Sequence, residues 1–393
     1  MSLGLSERNE ASDGDADGED DFHSNSDDDV IYLNQDEVVL SDQSEEEEDS
    51  NDEASIDGSA VTFTKHTDTV FSIAIKGDIV ITGGADNLAF AWNAHNGDLL
   101  AKLEGHRDSV VEVRLNHDQS YLATGDMRGV VIVWETQRWE VRSILESIDG
   151  MLDMNWMFWH HSANVIFRGF LSGQIAINTS SNSKFRFLPT HDSSCTCGKL
   201  LQDGVRLVAG YEDGLLKIWD LTNNTCVTVQ GREPVNCVDV LDDRIGASGS
   251  ENGTFALFSL TTGAIYASLS ASQFSEALAP ESCIETVAFD PTKSLLSVSG
   301  LDCPLIFFDV QSGRPRAVFA NISSVTKAIW LNNCLLACCL DGVIRLWDSR
   351  SSQLRGEWHG HRSPIYDLAV NKERGFFVTG DKDGVCKVFP LHL

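Results

Sequence analysis

The first 60 residues lack positive charge almost completely: they hold 22 Asp and Glu against one basic residue, Arg8. The chain also lacks any apolar run of membrane-spanning length, and "MSLGLSERNE" has no apolar signal-peptide core. Its ten cysteines therefore fit a reducing compartment, the cytoplasm, with the nucleus also open. No Cys-x-x-Cys knuckle occurs. Cys195 and Cys197 would share one face of a regular strand, but no second pair completes a zinc set. They read as small buried residues, and no metal is expected. "TGGADN" lacks the Lys-Ser/Thr of a phosphate loop, so no cofactor is expected. Helical periodicity is scarce too, showing only in "SASQFSEALAPES", 270–282.

What is present is negative charge, unevenly placed. Of the net −30, residues 1–60 carry −21; the other 333 hold 37 acidic and 28 basic residues. Phosphate contacts need Lys and Arg, so direct nucleic-acid binding is disfavoured and a basic partner is favoured. Residues 1–59 are expected to be a disordered acidic tail. Within it, "DVIYLNQDEVVL" (29–40) is either a partner-binding element or a chance apolar patch. Ser24, Ser26 and Ser44 precede acids and fit acid-directed kinase sites; phosphate there would deepen the charge.

Residues 60–393 repeat. Trp92, Trp134, Asn178, Trp219, Phe258, Phe308, Trp347 and Phe389 end similar units, at spacings of 42, 44, 41, 39, 50, 39 and 42. Such a period marks solenoids or propellers. Inside each unit "SVVEVRL", "YLATGD" and "VVIVWE" are short, β-branched and separated by turn residues, which reads as strands. The pattern is an all-β propeller. "GHRDSVVEVRL…LATGDMRGVVIVWE", "LVAGYEDGLLKIWDL" and "GHRSPIYDLAV…FVTGDKDGVCKVF" resemble WD40 repeats. Counting units predicts eight blades; seven is the alternative, because the third unit, ending at Asn178, is poorly patterned. The last unit stops before a fourth strand. "AVTFTKH" (60–66) is predicted to supply that strand and close the ring, removing two exposed edges. A monomer is expected.

His66, Thr82, Asp86 and Trp92 are spaced as the WD40 hydrogen-bond tetrad, and His361, Thr379, Asp383 and Phe389 nearly repeat it. A His–Asp–hydroxyl group suggests a hydrolase. Its repetition argues for scaffolding, and no enzyme is expected. Unit two keeps His106, Thr124 and Trp134, but Arg128 stands where other units place Asp213 or Asp341. The missing aspartate reads as repeat decay, or as a loop released for contact or for pairing within the rim.

In a propeller, the linkers before each first strand and the turns between second and third strands share one face. Here the linkers carry Asp68, Asp108, Asp149, Asp192, Glu233, Glu281 and Glu285, and the turns add Asp126, Glu212 and Glu251. Turn chemistry explains Asp, but not the glutamates. This face is the predicted partner site, with Phe71, Trp156 and Tyr366 as apolar anchors or core, and Met127 and Arg128 beside them. Arg107, Arg232, Arg362 and Lys382 make its charge locally mixed.

The acidic extension, "VTFTKHTDTVFSIAI", "ITGGADNLAFAW", "LATGDMRGVVIVW", "LDMNWMFWH" and "CLDGVIRLWDSR" are together similar to the angio-associated migratory cell protein family. That family includes the yeast dedicated chaperone of a basic large-subunit ribosomal protein of the L10/L16 type. The resemblance implies capture of that protein's basic N-terminal segment on an acidic propeller face during 60S ribosome biogenesis. Two alternatives are a signalling scaffold linked to cell migration, and a cullin-RING ligase substrate receptor, suggested by Trp-Asp-x-Arg at 347–350.

Overall fold

The β-branched units fold into strands, and the strands into a ring. The computed structural model describes residues 56–146, 153–180, 185–274, 282–292, 294–320 and 322–391. These form eight antiparallel four-stranded sheets, one per blade, so the eight-blade count holds. Where 270–282 suggested a helix, only a 3-10 turn, Ala271–Phe274, is seen; 275–281 lie outside the described residues. Among the described residues no helix is long and apolar enough to cross a membrane. Most of the expected tail, with Ser24, Ser26, Ser44 and the 29–40 island, also lies outside them.

Each blade runs from inner to outer strand in chain order. Blade 1, for example, is Val70–Lys76, Ile79–Gly84, Ala89–Asn93 and Leu99–Leu103. Blade 8 takes its fourth strand from the other end of the described chain. Val61–Phe63 pairs with Cys386–Pro390, Val61 opposite Val388 and Phe63 opposite Cys386. This is the predicted closure, made by three residues of 60–66. Phe63 is 2% exposed and stacks on Trp92 of blade 1, with centroids 4.6 Å apart and planes 4° from parallel. It therefore ties the outer strand of the last blade to the core of the first. Behind it, the buried Lys387 ammonium is held by Asp57, Ser59 and Thr62. Burial opposes ionisation of Asp57, but Lys387 and the Ser59 donors hold its carboxyl at about 2.

Apolar side chains gather in eight clusters, each shared by two neighbouring blades. The core thus sits at the seams. The turn glycine before the third strand serves the same packing. At Gly384, φ is +80°, and a Cβ would lie 2.8 Å from the His66 carbonyl of the next linker. Cys195 and Cys197 do not share a face. A bulge between them sends Cys195 to the seam with blade 3 and Cys197 to the seam with blade 5. Burial pushes the Cys197 thiol up to about 12 and the Cys195 thiol in the same direction, so both stay protonated.

The histidine networks differ from the spacing-based expectation. His66 behaves as predicted: Nδ1 lies 3.0 Å from Asp86 and Nε2 2.9 Å from Thr82. Trp92 does not complete this network. Among the described residues its indole N–H has no acceptor, and its ring is taken up by stacking with Phe63. In blade 8, His361 meets Thr379 at 2.7 Å, but its carboxylate is Asp381, at 2.6 Å. Asp383 is exposed in the turn instead, and Phe389, without a donor, stacks on Phe377. In blade 2, His106 meets Thr124 at 2.7 Å and Asp126 at 3.0 Å, and the Trp134 indole donates to Thr124 at 2.9 Å.

So the blade expected to lack its aspartate has the full network. The carboxylate has moved two residues upstream, from the turn to the end of the second strand. Asp126 is 1% exposed and is scaffold, not a contact residue. Position 128 is thereby released, and Arg128 pairs with Asp108 at 2.9 Å on the surface. The three histidine side chains have no exposed surface, so no substrate reaches them.

The poorly patterned third blade has a different solution. Arg168 occupies the strand position held by Thr82 and Thr124 in blades 1 and 2, and is fully buried. Its guanidinium donates to Asn178 at 2.9 Å and to the Gly129 carbonyl of blade 2 at 2.5 Å. Asn178, at the tryptophan position, is its acceptor. Burial lowers the Arg168 pKa to about 10, which leaves it charged at neutral pH.

Phe63→Ala should destabilise the ring by about 3–5 kcal/mol in urea unfolding, as other buried Phe truncations do. Asp126→Ala should cost at least ~2 kcal/mol by stranding the His106 and Val130 donors. Arg128→Ala and Asp383→Ala should each cost under ~1 kcal/mol. Burial raises the Asp86 pKa, but His66 and the Thr67 and Leu88 amides outweigh this and hold it low. Its stabilisation is complete above the ordinary carboxylate range and is lost as pH falls through the folded-state value. Acid titration of the unfolding midpoint should therefore be shallower in Asp86→Asn.

Candidate functional site

Each inner strand begins with the same irregularity. A β-bulge leaves its second or third residue unpaired: Phe71, Val111, Asn155, Thr196, Asn236, Glu285, Thr326 and Tyr366. A bulge re-aims its extra side chain. Here eight extra residues ring the mouth of the central channel. The predicted sharing of this face by linkers and turns is seen directly. Ala85 donates to Thr69 at 2.8 Å, Glu212 to Ser194 at 3.0 Å, Glu251 to Pro234 at 3.0 Å and Lys382 to Pro364 at 2.9 Å, in each case turn amide to linker carbonyl.

The polar bulge residues stitch neighbouring blades together. Asn155 donates to the Cys195 carbonyl at 2.9 Å, Thr196 to Val235, and Thr326 to Ile365 at 2.6 Å. Deeper in the channel the inner strands balance their own charges: Arg114 with Glu112 at 2.6 Å, Lys199 with Asp239 at 3.2 Å, and Lys327 with Asp367 at 3.5 Å. Uncompensated acid is left to the rim.

That acid converges on one side. Glu212, Glu233, Glu251 and Glu285 line a single open hollow of about 1000 Å³, together with Asn155, Thr196, Asn236, Leu171 and Leu301. Blades 3 to 6 supply these residues. Among the described residues, none of the four glutamates is in an ion pair; Glu285 accepts only the weak Cys283 thiol donor, at 3.3 Å. An adjoining hollow adds Asp192 and shares Leu171, Ser194 and Glu212. Four like charges around one open space favour a cation, and several cationic side chains over one.

The other predicted residues fall elsewhere. Asp68 is exposed on the rim and accepts the Thr69 amide at 2.7 Å. Asp108 is neutralised by Arg128. Met127 and Tyr366 are exposed at 38% and 37%, and Phe71 is half-buried. Trp156 is not an anchor: it is 7% exposed and wedged between blades 3 and 4, where Cβ atoms on Gly169 and Gly198 would collide with its ring. Asp149 and Glu281 lie outside the described residues. Asn155 and Asn236 were missed. Their signal was positional, a polar residue directly after the first buried residue of an inner strand. His191, 2.7 Å from Asp213, was missed as a scaffold histidine because its linker has no Gly-His pair.

The WD domain, G-beta repeat family model matches residues 97–135, 182–220 and 352–389. The ribosome assembly protein SQT1 of Saccharomyces cerevisiae is 26% identical over 377 residues, covering 84% of this chain and 86% of its own length. The crystal structure of Chaetomium thermophilum Sqt1 bound to the N-terminus of the ribosomal protein L10 matches with a TM-score of 0.74 at 22% identity, over 85% of this chain and 100% of that one. The human angio-associated migratory cell protein is 33% identical over 351 residues, covering 85% of this chain and 80% of its own length. With the fold matched by the solved structure and the sequence by the human relative, this chain belongs to the angio-associated migratory cell protein family of WD40-repeat propellers.

Proposed function

We propose that this protein is a non-enzymatic, cytoplasmic chaperone. It captures the basic N-terminal segment of a large-subunit ribosomal protein of the L10 type and holds it for 60S assembly. The observation that carries the reading is the convergence of Glu212, Glu233, Glu251 and Glu285 on one hollow, without counter-ions among the described residues. The relationship to a ribosome assembly protein supports it, as does a structural relative whose bound ligand is the L10 N-terminus. A free ribosomal protein is strongly cationic and prone to bind RNA indiscriminately. An acidic mouth pairs its Lys and Arg first, and rRNA, with a denser negative field, later displaces the chaperone. Single rim pairs contribute little. Several together raise the association rate and make affinity salt-sensitive.

A synthetic L10 N-terminal peptide, followed by fluorescence anisotropy, tests this. Replacing Glu212, Glu251 and Glu285 together by Lys should weaken binding about a hundredfold or more. Raising ionic strength should weaken the wild type steeply and the variant little. Equal affinity of the two proteins would refute the reading.

A further inference from the structure

The mouth has a second pole, opposite the acids. In an eight-membered ring, the seam between blades 8 and 1 faces the seam between blades 4 and 5. At the 8/1 seam the bulge residues are Tyr366 and Phe71, with ring centroids 6.5 Å apart and planes tilted by 50°. Unlike Asn155, Thr196 and Thr326, these two do not stitch the seam by hydrogen bonds. Tyr366 is exposed, and its hydroxyl has no hydrogen-bond partner among the described residues. The next extra residue, Val111 of blade 2, is also apolar. Three consecutive bulge residues, Tyr366, Phe71 and Val111, therefore form an apolar arc, and the other five are polar.

The charge around the aromatic pair is mixed, unlike the acidic hollow. Lys65, Arg362 and Lys382 are exposed there, against the exposed carboxylates of Asp68 and Asp383. Asp86 and Asp381 are buried against histidines and contribute no open site. A tilted aromatic pair with a free edge, away from the four unpaired glutamates, suits an uncharged aromatic or large aliphatic side chain.

We propose that the mouth reads two features of one extended segment: a basic cluster over blades 4 to 6, and a single aromatic or large aliphatic residue held by Phe71 and Tyr366 at the 8/1 seam. This rests on the reading that the acidic hollow takes a cationic segment. It adds a specificity rule, because charge alone does not distinguish one basic tail from another. An extended chain advances about 3.3 Å per residue, so the two features must stand at a fixed separation to reach both poles at once.

The test uses the full-length protein and synthetic cationic peptides of equal length and charge. One series carries a single Trp, moved stepwise away from an Arg cluster; the reference has Ala throughout. At one separation, the Trp peptide should bind about tenfold tighter than the reference. Tyr366→Ala should abolish that gain, read as the ratio of Trp-peptide to reference-peptide affinity within the same variant. Phe71→Ala should do the same, and Tyr366→Phe should retain the gain. A reference peptide that binds while no Trp position gains affinity would overturn this proposal alone. So would a gain that survives Tyr366→Ala. Failure of every cationic peptide to bind wild-type protein would overturn it together with the reading on which it rests.

Discussion

Closure of the ring by Val61–Phe63 is the interaction on which the rest of this structure depends. A blade in isolation has a bare seam on either side and buries no core. Each of the eight clusters exists only because two blades meet, so the ring is stable only when the last seam is filled. That seam joins opposite ends of the described chain, and the three-residue strand completes blade 8 and adds Phe63 to the seam's core. Backbone pairing with Cys386–Pro390 sets the register, Phe63 locks it onto Trp92, and the Lys387–Asp57 contact holds the entering chain. The mouth inherits its geometry from this closure, since eight bulges converge only if eight inner strands are held at equal angles.

Function follows from how charge is distributed within that geometry. The inner strands pair their charges inside the channel, where desolvation would penalise an excess. The rim is solvated, so it tolerates glutamates unpaired among the described residues, and blades 4 to 6 keep four around one hollow. On the opposite side, Arg128 cancels Asp108, and cations intersperse the acids. The result is a polarised face. Under the proposed function, a cationic chain reaching it would be drawn to one side, which would orient the remainder across the mouth.

The architecture was legible because aromatic spacing reports blade number directly, and because an unfinished last unit requires a strand from elsewhere. The acidic hollow was legible at its glutamates, which turn chemistry does not demand. Three features were hidden for physical reasons. The partner of the histidine slides between the turn and the end of the second strand, since both positions reach the same imidazole. Spacing from the tryptophan therefore misassigned Asp383 and left Asp126 on the surface. Trp156 sits one residue past a bulge, and the bulge reverses the facing that simple alternation assigns. Arg168 and Asn178 replace a hydroxyl and an indole by a pair that repeats nowhere else in the chain, so no pattern could announce them.

The most direct measurement is the structure of this protein bound to an L10 N-terminal peptide. Basic side chains of the peptide should lie within hydrogen-bonding reach of Glu212, Glu233, Glu251 and Glu285, with the chain crossing the mouth toward the seam of blades 8 and 1. A peptide seated on the outer strands or on the opposite face of the ring, with those glutamates still facing water, would contradict this.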